Sequence, residues 1–422
     1  MKVYKFSGAS IKSPEGIRNV KAIIGLSQEP LVVVVSALGK TTNALETLLN
    51  MYFENDPAVE SQLQKIEQEH YSILEALVGA GMGEEILAPQ FAELRHQISG
   101  RLKGSYDFCY DQLVSYGEIL STKIVSAYLA KEGVDIAWLD ARQLVATDSN
   151  FREAGVNLEE TERRFKKAMA GRSENFLIQG FLGGNVDGFA TTLGREGSDY
   201  TAAVIANVIG AESVTIWKDV SGVLNADPKQ FKNAVHLPGV SYQEAVELSF
   251  FGAQIIHPKT IKPLQNKSIP LYVKSFQNPL SDGTVINAEA TSGQVPVYVI
   301  KNNQVLISIR PKDFSFVLEE SLSEVFPILA KNRVKINMIQ SSAISISICV
   351  DGVKRYIQPA MEELKTKFNV LYNDNLELFT IRNYRAGEAE RVTANRKVFV
   401  LQKTRRTLRL LVDEGSFEGM EL

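Results

Sequence analysis

The stretch that most constrains this chain runs from Leu177 to Pro228: LIQGFLGGNVDGFATTLGREGSDYTAAVIANVIGAESVTIWKDVSGVLNADP. It opens on LIQGF, an apolar run of the length of a buried strand. Glycines follow at 180, 183, 184, 188, 194 and 197, where the backbone takes positive φ or meets another group closely. Gly197-Ser198-Asp199-Tyr200-Thr201 then reads as a helix start, with Ser198 or Asp199 placed to cap the run AAVIANVIGA. A second apolar run, SVTIW, ends at Lys218-Asp219, which puts that charged pair at the carboxyl edge of a sheet. Strand, glycine turn and helix N-terminus together form an anion site, because free N–H groups and the positive end of the helix dipole converge there. Glycines alone would suit a plain connection in any α/β domain. Arg195, Ser198, Asp199, Lys218 and Asp219, all at strand ends or at the helix start, favour a site that handles phosphate.

The N-terminal fifty residues repeat the same rhythm. Lys2–Phe6 reads as a strand ending in Ser7-Gly8-Ala9-Ser10, and a helix is expected from Ser13 to about Leu26. LVVVVSAL (31–38) is an uninterrupted β-branched run of the kind buried on both faces of a parallel sheet. It ends in Gly39-Lys40-Thr41-Thr42-Asn43, where Asn43 is placed to cap a helix from Ala44. Two strand–turn–helix units argue for a doubly wound α/β sheet, whose ligands sit beyond the carboxyl ends of the strands. Residues 55–131 carry helical spacing almost throughout. Within them Ser115-Tyr116-Gly117-Glu118 sets a glycine and a carboxylate inside an apolar helix, at a cost of about 1 kcal/mol against alanine. Close approach of another group and a surface Glu on a helix flank explain that equally well.

Further along, DIAWLDAR (135–142) is a strand and 157–170 a charged helix. A helix ending near Phe251-Gly252, a second at the His257-Pro258 turn and the strand IPLYVKSF follow, with His257 read as a structural hydrogen bonder. Asn278 to Val295, rich in Gly, Ser, Thr and Pro, reads as the linker out of the first domain. From 304 the pattern becomes strand, helix, strand, strand, helix, a small βαββαβ unit. A second set of strands, too short to complete another unit, would borrow VPVYVIK (295–301).

Composition narrows the function classes. A chain of 422 residues has room for two or three domains. A net charge of −3 and no dense basic block speak against a nucleic-acid partner. No run approaches a membrane span, so a cytoplasmic protein without membrane partner is expected. Two distant cysteines and four scattered histidines give neither a disulfide framework nor a metal-ligand cluster.

KFSGAS, VVVVSALGKTTN, SYGE, TTLGREGSDYTA, KDVSGVLNADP, SYQEAVELSFFGAQIIHPKT and NMIQSSAISISICVD occur in the order and spacing of the aspartate kinases, and the chain resembles that family over nearly its whole length. The resemblance implies a doubly wound amino acid kinase sheet with a helical substrate lobe (1–290), followed by two α+β, ferredoxin-like ACT units at 304–370 and at 371–422 with strand 295–301. It implies phosphoryl transfer from ATP, with Mg2+ held mainly by the nucleotide phosphates, to the β-carboxylate of L-aspartate, the first step towards lysine, threonine and methionine. Carried over by motif, Lys5 would neutralise the transferring phosphoryl group and Asp199 would position Lys5. Gly8, Ser10 and Gly39 would cradle its oxygens. Ser36, Thr42, Glu118, Arg195 and Ser198 would hold aspartate, and Lys218, Asp219, Asn225, Asp227 and Lys229 the nucleotide. Met338, Ser341 and Ser342 fall at the family's effector site, with lysine expected ahead of threonine, in a homodimer or larger assembly joined through the ACT units.

The chain departs from the commonest family pattern at Ser7, Ala9, Glu196, Lys218, Leu224, Lys229 and Gln254. Glu196 would repel phosphates, and Lys218 could offset it. Two rival readings are a decayed sensor that binds amino acid and nucleotide, and a kinase for a related acid such as glutamate or acetylglutamate. Retention of Lys5, Glu118, Arg195, Ser198 and Asp199 favours the enzyme over the sensor. The ACT pair and the SYGE helix favour aspartate over the related acids.

Overall fold

The structure, a computed structural model, describes residues 1–253, 255–293, 295–313, 319–393 and 396–415. Gln254 lies outside the described residues. The chain forms two compact units. The first comprises Met1–Val223, His236–Val246 and Ile256–Ser292, and the second Leu224–Val235, Glu247–Ile255 and Gly293–Leu422. A single boundary near 290 therefore does not divide them, because two short segments from within the kinase-like sequence belong with the second unit.

The first unit holds strands β1 (Lys2–Phe6), β2 (Leu31–Val35), β3 (Ile136–Leu139), β4 (Asn175–Gln179), β5 (Leu182–Gly184), β6 (Ala190–Thr192), β7 (Val214–Lys218), β8 (Gly239–Ser241), β9 (Leu271–Ser275) and β10 (Thr284–Asn287). Eight of them form one sheet in the order β3-β4-β2-β1-β7-β9-β10-β8. From β3 to β9 every neighbouring pair is parallel. The valine run of β2 is buried at every position, as a strand with both faces covered must be. The chain winds from β1 to β2, β3 and β4 on one flank and then to β7 and β9 on the other. The winding reverses at β1 and β7, the place where doubly wound sheets take ligands. The helices Val59–Val78, Ala88–His96, Tyr106–Val114 and Tyr116–Lys131 build a lobe on one core with β1 and β2.

Three local expectations are corrected. The second helix spans Thr41–Phe53, not from Ala44, because Gly39 at φ 49° turns the chain and the Thr41 N–H donates to Leu38 O at 2.9 Å. Asn43 thus lies in the first turn and caps nothing. The helix after the glycines is Gly197–Ile209, and its cap position is Glu196, not Ser198 or Asp199. The presumed linker 278–295 contains β10, antiparallel to β9 in the same sheet. His257 does serve structure: it caps the helix Pro258–Asn266, accepting the Lys259 N–H. The glycine stretch after β4 also folds further than a turn, into the two-stranded hairpin β5–β6.

The second unit is one antiparallel sheet of β11 (Val297–Pro311), β12 (Ile336–Ser341), β13 (Ile346–Asp351), β14 (Phe368–Arg382), β15 (Val398–Lys403) and β16 (Thr407–Asp413), in the order β12-β13-β11-β14-β16-β15. Alternation along β11 sends Val305, Ile307 and Ile309 to a core shared with helices Glu319–Lys331 and Lys354–Lys367, and Leu306 to the opposite face with Met338 and Cys349. The first half of β11 pairs with the end of β14, so one strand serves both halves of the unit. Beside that second half Ala226 and Phe231 pack with Tyr298, Phe379 and Leu410.

One tight joint in the first unit is at Gly180, where an added Cβ would fall 2.5 Å from Ser198 Cβ and 2.9 Å from its Cα. Gly180→Ala is expected to lower stability by about 1–3 kcal/mol through overpacking against a backbone that cannot yield. Thermal unfolding checks this, and an unchanged melting temperature would contradict it.

Candidate active site

Lys5 is the next-to-last residue of β1, flanked by Val34 of β2 and Ile216 of β7. It is almost fully buried, which a lysine tolerates only when paired. Its Nζ lies 2.6 Å from Oδ1 of Asp199, in the first turn of the Gly197–Ile209 helix. Lys218, at the end of β7, brings its Nζ to 4.0 Å from Asp199 Oδ2. Burial alone would push the Asp199 carboxyl up, but Lys5 and then Lys218 hold it below the ordinary carboxylate value. Two cations on one carboxylate leave a surplus positive charge at the helix N-terminus, which is the electrostatics a phosphoryl group needs. Asp219 is exposed just past the strand.

Glu118 stands in the first turn of the Tyr116–Lys131 helix and is fully buried, not a surface residue. Its Oε1 accepts the Ala37 N–H at 3.3 Å, while Oε2 has no partner among the described residues. Burial raises its pKa to about 8, against the pull of the Ala37 N–H and of Lys5. Gly117 explains how the helix comes so close: a Cβ there would lie 3.1 Å from Ala37 Cβ and 3.6 Å from Thr41 Cγ2. The hydroxyl of Thr41 is also buried without a partner. Two orphaned acceptors around Ala37 suit a cationic donor such as an ammonium group. Thr41 escaped the sequence reading, which chose Thr42; only the early helix start shows that Thr41 points inward. Thr42 itself is half-buried, as is Ser36, whose carbonyl accepts the Ser121 hydroxyl at 2.7 Å.

The loop after β1 meets the loop after β2 at Gly8, where a Cβ would fall 2.5 Å from Ala37 O. Ser7 is not in the left-handed region. Its hydroxyl contacts Ser10 Oγ at 3.0 Å and accepts the Ser10 N–H at 3.3 Å, so a serine fits here. The Ser10 N–H donates to Ser7 O and the Gly39 N–H to Gly8 O, each at 3.0 Å, which braces the loops against each other. Ser198 is buried against Gly180, and Arg195 is exposed at the rim. Glu196 holds φ 54°, a conformation that favours glycine, and its carboxylate accepts the His257 N–H at 3.0 Å. Its charge is thus committed to the Pro258–Asn266 helix.

Asn225, Asp227 and Lys229 belong to the second unit. The Asn225 side chain accepts the Val235 N–H at 2.7 Å and donates to Pro296 O at 3.0 Å, so it is engaged in holding the loop. Asp227 and Lys229 are exposed, and the Asp227 carboxylate accepts the Lys229 N–H. The Met338 side chain lies in the sheet core, which leaves its backbone on edge strand β12 for any ligand. Ser341 and Ser342 are exposed, with Ser342 Oγ 2.8 Å from Ser345 Oγ. No group of three or more metal-ligating side chains lies together among the described residues, and no described helix is long and apolar enough to cross a membrane.

Residues 1–275 match the model of the amino acid kinase family. The chain is 32% identical to aspartokinase 1 of Arabidopsis thaliana over 86% of its own length and 65% of that protein's. It is 31% identical to aspartokinase 3 of the same plant over 96% of this chain and 74% of that one. It spans under half of the bifunctional aspartokinase/homoserine dehydrogenase of Buchnera aphidicola, at 30% identity over 83% of this chain and 44% of that protein. Among solved structures, E. coli aspartokinase III in complex with aspartate and ADP superposes with a TM-score of 0.83 at 26% identity, covering 98% of this chain and 96% of that one. The same enzyme in complex with lysine and aspartate gives 0.81.

Because the folded-state pKa of Glu118 stands above that of an unfolded glutamate, its stabilising contribution is present at low pH and is lost as pH climbs towards about 8. Glu118→Gln cannot ionise. Its melting temperature relative to the parent is expected to rise steadily from about pH 5 to about pH 9. A constant difference across that range would show that Glu118 is not held protonated.

Proposed function

The chain belongs to the amino acid kinase family and, within it, to the aspartokinases, and on that premise we propose that it transfers the γ-phosphoryl group of ATP to the β-carboxylate of L-aspartate. The observation that carries this reading is the buried Lys5–Asp199 pair, with Lys218 beside it, at the carboxyl edge of the sheet, and the unpartnered carboxylate oxygen of Glu118 in the same lobe. A carboxylate nucleophile is ionised at neutral pH, so the reaction needs no general base, only positioning and charge neutralisation. Asp199 orients Lys5, and Lys5 with Lys218 draws charge from the phosphoryl oxygens as it builds in the transition state. Gly8 and Gly39 let the backbone come close at this edge. Glu118 accepts the α-ammonium group and Arg195 the α-carboxylate, with Ser36, Thr42 and Ser198 completing the pocket. Binding of the ammonium ionises Glu118, which releases a proton near neutral pH. Asp219, Asn225, Asp227 and Lys229 serve the nucleotide, and the Mg2+ that such transfers use arrives on the phosphates, since Asp199 is already committed to two lysines.

ADP release measured with L-aspartate, L-glutamate and N-acetylglutamate offered singly tests the reading; turnover with L-aspartate alone is expected. Lys5→Ala and Asp199→Ala are each expected to lower kcat by on the order of 10²–10³ in folded protein. Arg195→Ala should raise the KM for aspartate far more than that for ATP. Near-normal turnover in either of the first two would remove the assignment, and equal KM effects would move Arg195 to the phosphates.

Regulation follows the same line. The lysine complex of E. coli aspartokinase III supports an amino-acid effector here, lysine before threonine; its seat is read at Met338, Ser341 and Ser342, in a homodimer joined through residues 296–422. The protein works in the cytoplasm on the lysine, threonine and methionine route. Titration with each amino acid to several millimolar is expected to inhibit turnover with lysine and to spare the Ser342→Ile variant. If neither ligand changes rate or melting temperature, the second unit has no such role.

A further inference from the structure

Asp111 and Gln112 are neighbours in the Tyr106–Val114 helix, and both reach the outer edge of β6. Asp111 is fully buried. Its carboxylate accepts the Thr192 N–H at 2.8 Å, the Thr192 hydroxyl at 2.7 Å and the Arg152 N–H at 3.0 Å. Gln112 donates from Nε2 to Ala190 O at 2.8 Å and accepts the Ala190 N–H on Oε1 at 3.2 Å. Ala190 and Thr192 alternate along β6, so the polar groups they turn away from β5 are met by these two side chains and, at Thr192 O, by the Ala154 N–H at 3.0 Å, together standing in for a third strand. Arg152 adopts φ 70° to deliver its N–H, and its guanidinium is held by Glu46 at 3.2 Å and over the Tyr110 ring at 4.1 Å. A non-glycine residue in that conformation persists only where the surroundings fix it.

The stitch joins two segments that matter. The Tyr106–Val114 helix passes through Ser115, itself in helical conformation, into the Tyr116–Lys131 helix, so Glu118 lies about two turns beyond Asp111 on nearly continuous helix. β6 ends at Thr192 and leads directly to Arg195 and Ser198. We propose that Asp111 and Gln112 are positioning residues for the amino-acid substrate: they fix the spacing between Glu118 and Arg195, and thereby the joint grip on its α-ammonium and α-carboxylate groups. The proposal rests on reading those two residues as the grips on ammonium and α-carboxylate. A carboxylate is required at 111 because three donors converge on it. An asparagine would turn its own N–H donors towards at least one of them.

Asp111→Asn keeps the size and removes one acceptor. It is expected to raise the KM for L-aspartate on the order of tenfold and to leave the KM for ATP within about twofold. Thr192→Val, which loses only the hydroxyl, and Gln112→Ala should shift the aspartate KM in the same direction by less. Should Asp111→Asn fail to fold, those two variants carry the test by the same criterion. If the KM values for both substrates move together, or the melting temperature falls while the aspartate KM stays put, the stitch is packing alone and the proposal is overturned. Failure of the premise looks different: a normal aspartate KM in both Glu118→Gln and Arg195→Ala removes the grips themselves.

Discussion

The contact between Lys5 and Asp199 sets the terms for the rest of the first unit. Both side chains are nearly excluded from water. Burying two charges costs several kcal/mol each, which only close geometry and further partners offset. Removing one partner from such a pair typically costs about 3–5 kcal/mol. β1 and the Gly197–Ile209 helix are therefore bound to one relative position. Lys218 adds a second cation to the same carboxylate, so the site carries net positive potential before any ligand arrives.

Close backbone approach makes that contact possible. Gly8, Gly117 and Gly180 each stand where a Cβ would meet a neighbouring segment, at Ala37 O, Ala37 Cβ and Ser198 Cβ. The three glycines pull the ends of β1, β2 and β4 and two helix starts into a small volume. Glu196 shows the same constraint from the other side. It accepts a left-handed conformation that glycine would hold without strain, and its bond to the His257 N–H offsets that cost.

The second unit is organised by length instead. β11 and β14 each run for fifteen residues, and each contributes one half to one small α/β layer and the other half to the next. A rigid pair of long strands ties the two layers into one sheet. The segment 224–235 contributes Ala226 and Phe231 to the core of the second layer, with Asn225 bonded to the chain around Pro296 and Tyr298. The loop 224–235 is thus built on the same layer.

Much of this was legible in the sequence. The valine run of β2, the glycine-rich turns and the run SVTIW determined a wound parallel sheet, since alternation and uninterrupted apolar runs report burial on one face or two. The charged residues at strand ends determined the class of chemistry, because their places on the sheet follow from the strands themselves. Contacts between distant residues were not legible. Asp111 and Thr192 lie 81 positions apart, and nothing in the spacing of either names the other. The start of the Thr41 helix was fixed by a turn at Gly39, the hairpin β5–β6 by side chains from a helix, and β10 by pairing with β9 despite its loop-like composition. Periodicity records how each residue meets its own surroundings. Which residues form those surroundings, and which oxygens they leave unpaired, only the tertiary structure decided.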